Sequence, residues 1–374
     1  MTSPEVVVVG AGIVGAATAR ELAVRGVGVA LLDAGEVAGG TTGVGEGNVL
    51  ASDKDAGPEL DLTVAGLAVY DELDERLGAA ARIRRKGALI VHADAATWAA
   101  EPARLERLRA AGVESRVVDA GEAEPNLTGA VHGAVHFPAD LQCAPREIAR
   151  ALAAEAREAG ATVREGARVE SVDGRGVRVS GGERVPAGAV VIAAGPWSAA
   201  LATSAGHPLP LEPRKGQLVR LAAPPGRPFV RHKVVSADYM ASVNSPAAGL
   251  EVTTVVETTW DGDVLVGSSR ERRGFDTGVD DAVSGAMVAR AARLFGGLMA
   301  LSRAAAWAGL RPWLPDHLPA IGLSRAVPGL WLATGHEGAG VALGPITGRV
   351  VAQAYCGEAP AADLSAFDPD RFAR

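Results

Sequence analysis

The chain has only two cysteines among 374 residues, Cys143 and Cys356, with no C-x-x-C spacing. A disulfide framework and a structural zinc site are therefore not expected, and a reducing, cytoplasmic setting fits. Positive charge is in short supply: the formal net charge is −7. That argues against a nucleic-acid partner, because phosphate binding needs a basic field. The one local basic run, Arg82-Ile83-Arg84-Arg85-Lys86, leads into an apolar segment and reads as the solvated approach to a strand. No stretch reaches ~18 uninterrupted apolar residues, so no spanning helix is expected. Residues 1–5 carry no positive n-region, and the glycine pattern explains the apolar run that follows better than a signal peptide does. Histidine is sparse, and His92, His132 and His136 match no compact ligand spacing, so no metal is expected. There is no low-complexity tract and no internal repeat.

What the chain does have is apolar residues, 48% of the total, and 47 glycines. The length suits about two domains with a substantial core. The glycines are informative where they are ordered. Val6-Val7-Val8-Val9 is a β-branched run short enough for a buried parallel strand. It stops at Gly10-Ala11-Gly12-Ile13-Val14-Gly15, a G-x-G-x-x-G, and a helical pattern follows, with Ala19, Leu22 and Ala23 on one face. Gly26 is placed to end that helix at C′. A second strand over 29–32 ends at Asp33, followed by Ala34.

Each piece has a physical task. Gly10 permits the tight turn, Gly12 removes a side chain where a pyrophosphate must approach, and Gly15 lets the helix pack on the sheet. The helix N-terminus, with the N–H groups of Ile13 and Val14, offers donors and a positive dipole end to phosphate. Asp33 can accept from ribose hydroxyls and argues against a 2′-phosphate. This order of strand, glycines, helix and acid predicts a Rossmann-type dinucleotide site but does not separate FAD from NAD.

A second glycine-rich stretch favours a cofactor lying extended through the domain. It comprises Gly39-Gly40-Thr41-Thr42-Gly43 and Gly45-Glu46-Gly47-Asn48. The Thr41 and Thr42 hydroxyls are candidates for the second phosphate, and the Gly47-Asn48 backbone for a flat ring. An ordinary flexible loop is the alternative. Strand-like runs appear at 86–92, 167–172, 189–194, 216–221, 251–257 and 264–266, and helix-like runs at 148–159, 282–295 and 346–355.

The order of motifs resembles the D-amino-acid oxidase-like flavoproteins over essentially the whole chain. The branch is that of glycine oxidase, sarcosine oxidase, D-amino-acid dehydrogenase and the flavin subunits of proline, hydroxyproline and opine dehydrogenases. The resemblance rests on the N-terminal fingerprint, on Gly309-Leu310-Arg311-Pro312 with Pro315-Asp316, and on the loop and helix from Gly335 to Pro345. Residues 45–54 and Gly267-Ser268-Ser269-Arg270 look most like the hydroxyproline-dehydrogenase group. The resemblance implies an α/β fold with a Rossmann-type FAD-binding domain in three pieces, 1–82, 142–212 and 307–374. A substrate-binding domain on a mixed, mainly antiparallel sheet would occupy 83–141 and 213–306. It implies FAD, with Val169, Ala194, Gly195, Gly335, Glu337, Gly338, Ala339, Gly340 and Val341 as further cofactor contacts. Some relatives attach the flavin through a cysteine in the segment that here spans 308–314. This chain has none there, so the FAD is expected to be noncovalent.

The implied chemistry is hydride transfer from a substrate α-carbon to flavin N5, turning an amino acid or secondary amine into an imine. Arg311 matches the arginine that holds the substrate carboxylate, and its fork suits a carboxylate bidentately. A structural ion pair, for instance to Asp316, is the alternative. Tyr239 is placed to bond the carboxylate or cap the pocket, or else to pack. The turn through Gly338, Ala339 and Gly340 opens the last helix, where its dipole can stabilise charge on the reduced flavin. His336 and Glu337 face the pocket or cap the loop. The electron acceptor is oxygen, a quinone or a partner protein. A relay subunit of a hetero- or homo-oligomer and a 2-hydroxy-acid dehydrogenase are the competing readings.

Overall fold

The computed structural model describes residues 3–243, 245 and 249–372. The strand Val6–Val9, wholly buried, lies at the centre of a six-stranded sheet. It pairs in parallel with Val29–Leu32 on one side and Ala189–Ile192 on the other. Leu330–Thr334 extends the sheet in parallel, Thr162–Arg164 continues the other edge, and Ala320–Leu323 closes it antiparallel. The near-continuous Val and Leu runs of the inner strands fit their position, because helices or a small sheet cover both faces. Each fully buried Val or Leu contributes about 1.5–3 kcal/mol by its removal from water.

The helix Ile13–Ala23 follows the fingerprint turn and ends as the sequence predicts. Gly26, at φ +82°, is the left-handed residue of a Schellman cap. The Val27 and Gly26 N–H groups donate back to Leu22 and Ala23 carbonyls at 3.2 and 2.9 Å. This helix packs against the C-terminal helix Gly340–Tyr355 at very short range. A Cβ on Gly348 would stand 2.5 Å from the Ala17 backbone, and one on Gly344 would stand 2.9 Å from Ile13 Cγ2. The N-termini of both helices open on the same cleft.

The second large sheet has eight strands. In spatial order they are Ser302–Trp313, Glu212–Ala222, Val264–Arg270, Glu251–Thr258, Lys233–Ser236, Ala88–His92, Gly133–Phe137 and Arg116–Val118. All neighbours are antiparallel except Lys233–Ser236 beside Ala88–His92. The helix Asp281–Ala291 covers it, its first turn capped by the Asp280 carboxylate. The mixed, mainly antiparallel sheet is thus present. The expected domain limits at 212/213 and 306/307 fall inside its two longest strands, which pair from Glu212–Trp313 to Ala222–Ser302.

One expectation holds only in part. In the basic run before Ala88, Arg82 and Arg85 are exposed, but the side chains of Arg84 and Lys86 turn inward. Lys86 is buried on Glu257 at 2.6 Å, and Arg84 lies over the Trp260 ring at 4.6 Å and donates to Gln142. The carboxylate of Glu257, deep in the second sheet, draws these cations inward. No helix among the described residues is long and apolar enough to cross a membrane.

Candidate active site

A cleft of about 870 Å³ runs between the two sheets. At one part of it the chain leaves Val6–Val9 through Gly10 at φ +100°. Gly12 follows with no side chain over the cleft, and as the residue before the helix that begins at Ile13 it supplies no side-chain cap. Asp33 closes this turn: its carboxylate accepts the Ala11 N–H at 2.6 Å and the Gly35 N–H at 2.8 Å. It still borders the cleft, as do Ile13, Val14, Ala34, Val169, Ala194 and Gly195.

Two of the expected glycines, Gly15 of the fingerprint and Gly335 of the C-terminal loop, lie off the cleft. Gly15 does not line the cleft; a Cβ there would stand 1.8 Å from the Gly10 carbonyl oxygen. Gly335 is also off the cleft, at φ +83°, with Leu314 where its side chain would go.

The two threonines differ. Thr42 Oγ1 accepts the Ile13 N–H at 3.0 Å, so its own proton is free for a ligand at the helix N-terminus. Thr41 donates its proton to the Leu310 carbonyl at 2.7 Å. Its hydroxyl is therefore not a free donor for a phosphate, although Thr41 lines the cleft. Gly47 turns at φ +86° and accepts from Cys143 N–H, which seats Asn48 at the cleft wall. Asn48 donates to Glu46 and Glu257 at 3.1 and 3.2 Å, and its buried Oδ1 has no partner among the described residues.

At another part of the cleft the paired strands Glu212–Ala222 and Ser302–Trp313 present Gly216, Leu218, Gly309 and Arg311. Arg311 lies across Gly216: a Cβ on that glycine would stand 2.1 Å from its Nη1. Its one internal hydrogen bond among the described residues goes to the Ser269 carbonyl at 3.1 Å. Among the described residues no carboxylate forms an ion pair with it, although the Glu337 and Glu46 charges act on it favourably. Asp316, the anticipated structural partner, pairs with Arg371 instead, at 2.7 Å. Burial first, and then the neighbouring Arg270, lower the Arg311 pKa from its ordinary value. Guanidinium remains charged all the same. Tyr239 borders the same region from the short helix Asp238–Val243, and the Arg270 guanidinium stacks on its ring at 4.5 Å.

The loop from Thr334 into the C-terminal helix lines the cleft through His336, Glu337, Gly338, Ala339, Gly340 and Val341. No side chain caps its helix. The Glu337 carboxylate, however, is taken up by Arg214 at 2.7 Å and His317 at 3.2 Å. Against the cost of burial, the His317 hydrogen bond and the Arg214 and Arg270 charges hold it below the usual glutamate value. Glu337 thus fixes its loop, and His317 comes nearer this centre than its sequence position suggests. His336 is buried, bonded through Nε2 to Thr347 at 3.0 Å, and burial lowers its pKa to about 3.

Several cleft residues carry no sequence signal of their own. Glu46, Asp53, Lys54 and Lys233 line it, with Lys54 on Asp53 at 2.6 Å and Lys233 on Glu46. Asp140 holds the turn that carries Asp53 and Lys54. It accepts the Ala51 and Ser52 N–H groups at 2.8 and 3.3 Å, and burial pushes it up to about 7.

These residues fit a dinucleotide that ends in a flat ring. The N-termini of two helices open on the cleft, a setting that suits an anion, and Gly216 and Gly309 make room there for the side chains of Arg311 and Val44. The orphaned Asn48 Oδ1 awaits a donor.

Comparison with known proteins gives the same answer. A profile of the DAO family, described as FAD dependent oxidoreductase, matches residues 5–354. Glycine oxidase of Pseudomonas aeruginosa is 31% identical over 386 aligned positions, spanning 98% of this chain and 99% of that protein. The crystal structure of glycine oxidase from Geobacillus kaustophilus superposes with a TM-score of 0.89 at 28% identity, covering 100% of both chains. That of iminodiacetate oxidase from a Chelativorans species gives 0.82 at 27% identity, covering 97% of this chain and 98% of that one. With its dinucleotide turn, its two helix N-termini and its mixed second sheet, the chain belongs to the DAO family of FAD-dependent oxidoreductases.

Proposed function

We propose that this protein oxidises the C–N bond of a small amino acid or secondary amine that bears a carboxylate, giving an imine. The observation that carries the reading is Arg311, a guanidinium set into the cleft with no carboxylate partner. A largely desolvated cation with no direct carboxylate partner among the described residues is costly, and a substrate carboxylate answers it with paired, charge-assisted hydrogen bonds. The names of the similar proteins, glycine oxidase and iminodiacetate oxidase, agree with that substrate class.

Bound FAD supplies the hydride acceptor. The Gly12, Ile13 and Val14 backbone with Thr42 would hold its pyrophosphate, and Asp33 its ribose. The Gly338 to Gly340 turn would face its ring. Arg311 orients the substrate, and Tyr239 closes the pocket over it. The FAD is held noncovalently, since neither cysteine lines the cleft: Cys143 is buried near Tyr70, and Cys356 lies just past the C-terminal helix. Acid denaturation of the yellow protein is expected to release intact FAD into the supernatant. Flavin that stays with the precipitate would refute noncovalent binding.

Oxidation of an alcohol needs a base for a weakly acidic proton. His336 is poorly suited to that task, because its Nε2 is engaged by Thr347 and burial keeps the ring neutral and weakly basic. This supports an amine over a 2-hydroxy acid. The test is anaerobic flavin bleaching with D- and L-amino acids, N-methyl amino acids, prolines, opines and 2-hydroxy acids. Bleaching by a carboxylate-bearing amine is expected, and it should persist in His336→Asn. Bleaching by 2-hydroxy acids alone would overturn the assignment.

A further inference from the structure

We infer that Glu46 recognises the substrate's nitrogen and stabilises the positive charge that develops on it during oxidation. The inference rests on the amine reading above and adds a residue to it. Glu46 lines the same cleft as Arg311, on a different element; its charge acts on Arg311, but no direct ion pair joins the two among the described residues. Instead the Glu46 carboxylate is anchored by one oxygen only. Lys233 Nζ and Asn48 Nδ2 both donate to Oε2, the latter at 3.1 Å. Oε1 accepts no hydrogen bond from the described residues. It packs over Gly267, where a Cβ would stand 3.0 Å away.

The result is an anchored anion at the cleft, with one oxygen that accepts no hydrogen bond from the described residues, in the same cleft as the Arg311 cation. An amino acid carries the complement: a carboxylate for Arg311 and an N–H for Oε1. The charge argument strengthens as the reaction proceeds. The electron pair of the Cα–H bond leaves with the hydrogen as hydride, and FAD takes it up. The nitrogen lone pair closes the C=N bond, and the nitrogen becomes cationic while keeping its N–H. A preorganised carboxylate therefore binds the transition state more strongly than the neutral amine. A 2-hydroxy acid leaves no lasting cation once its proton is gone, so the same oxygen favours amines.

The test compares two ligands on the FAD-loaded enzyme. One is an amine substrate that bleaches the native protein. The other is propanoate, a carboxylate without nitrogen, whose binding is followed by the flavin absorbance. In Glu46→Gln, bleaching at saturating amine should slow by about ten- to a hundredfold, the range for a hydrogen bond to a charged group. Propanoate binding should tighten, because a nearby negative charge is gone. Lys233 is left unpaired in that variant, so Glu46→Gln/Lys233→Met is measured beside it. There, propanoate affinity should return towards native while bleaching stays slow. Equal weakening of both ligands, unchanged bleaching in Glu46→Gln, or native bleaching in the double variant would each overturn the inference. If no amine bleaches the native enzyme, the amine reading falls first and this inference with it.

Discussion

Arg311→Ala is expected to lower kcat/KM for a carboxylate-bearing substrate by about two to three orders of magnitude, with the flavin spectrum nearly unchanged. Removing one partner of a desolvated charge pair costs ~2–5 kcal/mol, and ~1.4 kcal/mol corresponds to a factor of ten. The site gives reason to expect the full effect. Among the described residues no carboxylate forms a direct ion pair with the guanidinium, which lies across Gly216. Arg311→Lys should recover only part of the loss, because ammonium keeps the charge and loses the fork. Esterified substrates should be poor with the native enzyme and should lose little more in the Ala variant. Native kcat/KM in Arg311→Ala would make the arginine structural and remove the main support for a carboxylate substrate.

Gly12→Val should abolish FAD binding in a protein that still folds. Gly12 has φ −68° and ψ −179°, a conformation open to any residue. A Cβ there meets nothing closer than Thr42 Oγ1, at 3.1 Å. The added methyl groups therefore intrude on the cleft rather than on the core, where the pyrophosphate must approach. Circular dichroism should remain native-like while flavin content falls to near zero. Gly15→Ala gives the contrast. Its Cβ would stand 1.8 Å from the Gly10 carbonyl oxygen, so that change should damage the turn itself and the folded yield with it. Normal flavin content in Gly12→Val would show that the fingerprint binds something other than a dinucleotide.

The legible parts of this protein were those whose physics is local. From Val6 to Asp33, strand, turn, helix and cap follow one another within a short segment, and each residue type states its own reason. Arg311 was reachable because an isolated fork beside Pro312 and Trp313 stands out and matches a family position. Glu46 and Lys233 did not stand out. Each is an ordinary charged residue, and what distinguishes them is a pairing across the interface between the two sheets, which no spacing encodes. The same holds for Arg84 and Lys86, whose buried partners are far along the chain. Thr41 and Glu337 line the cleft, but their polar groups are already committed, to Leu310 in one case and to Arg214 and His317 in the other. Periodicity shows where a side chain resides and is silent on whether its proton or lone pair is spent.

The close seat of helix Ile13–Ala23 on helix Gly340–Tyr355 has a bearing on synthesis. The Gly10 to Gly15 turn leaves the ribosome early, yet the helix that supports it from behind and the loop from Thr334 into that helix are translated long after it. Until then the nascent turn has an open flank, lined by the small residues Ala16, Ala17 and Thr18, that would draw any passing apolar surface. The turn and the helix that backs it therefore lie at opposite ends of the chain, and the close packing of Gly344 and Gly348 on Ile13 and Ala17 is complete only when both ends are present.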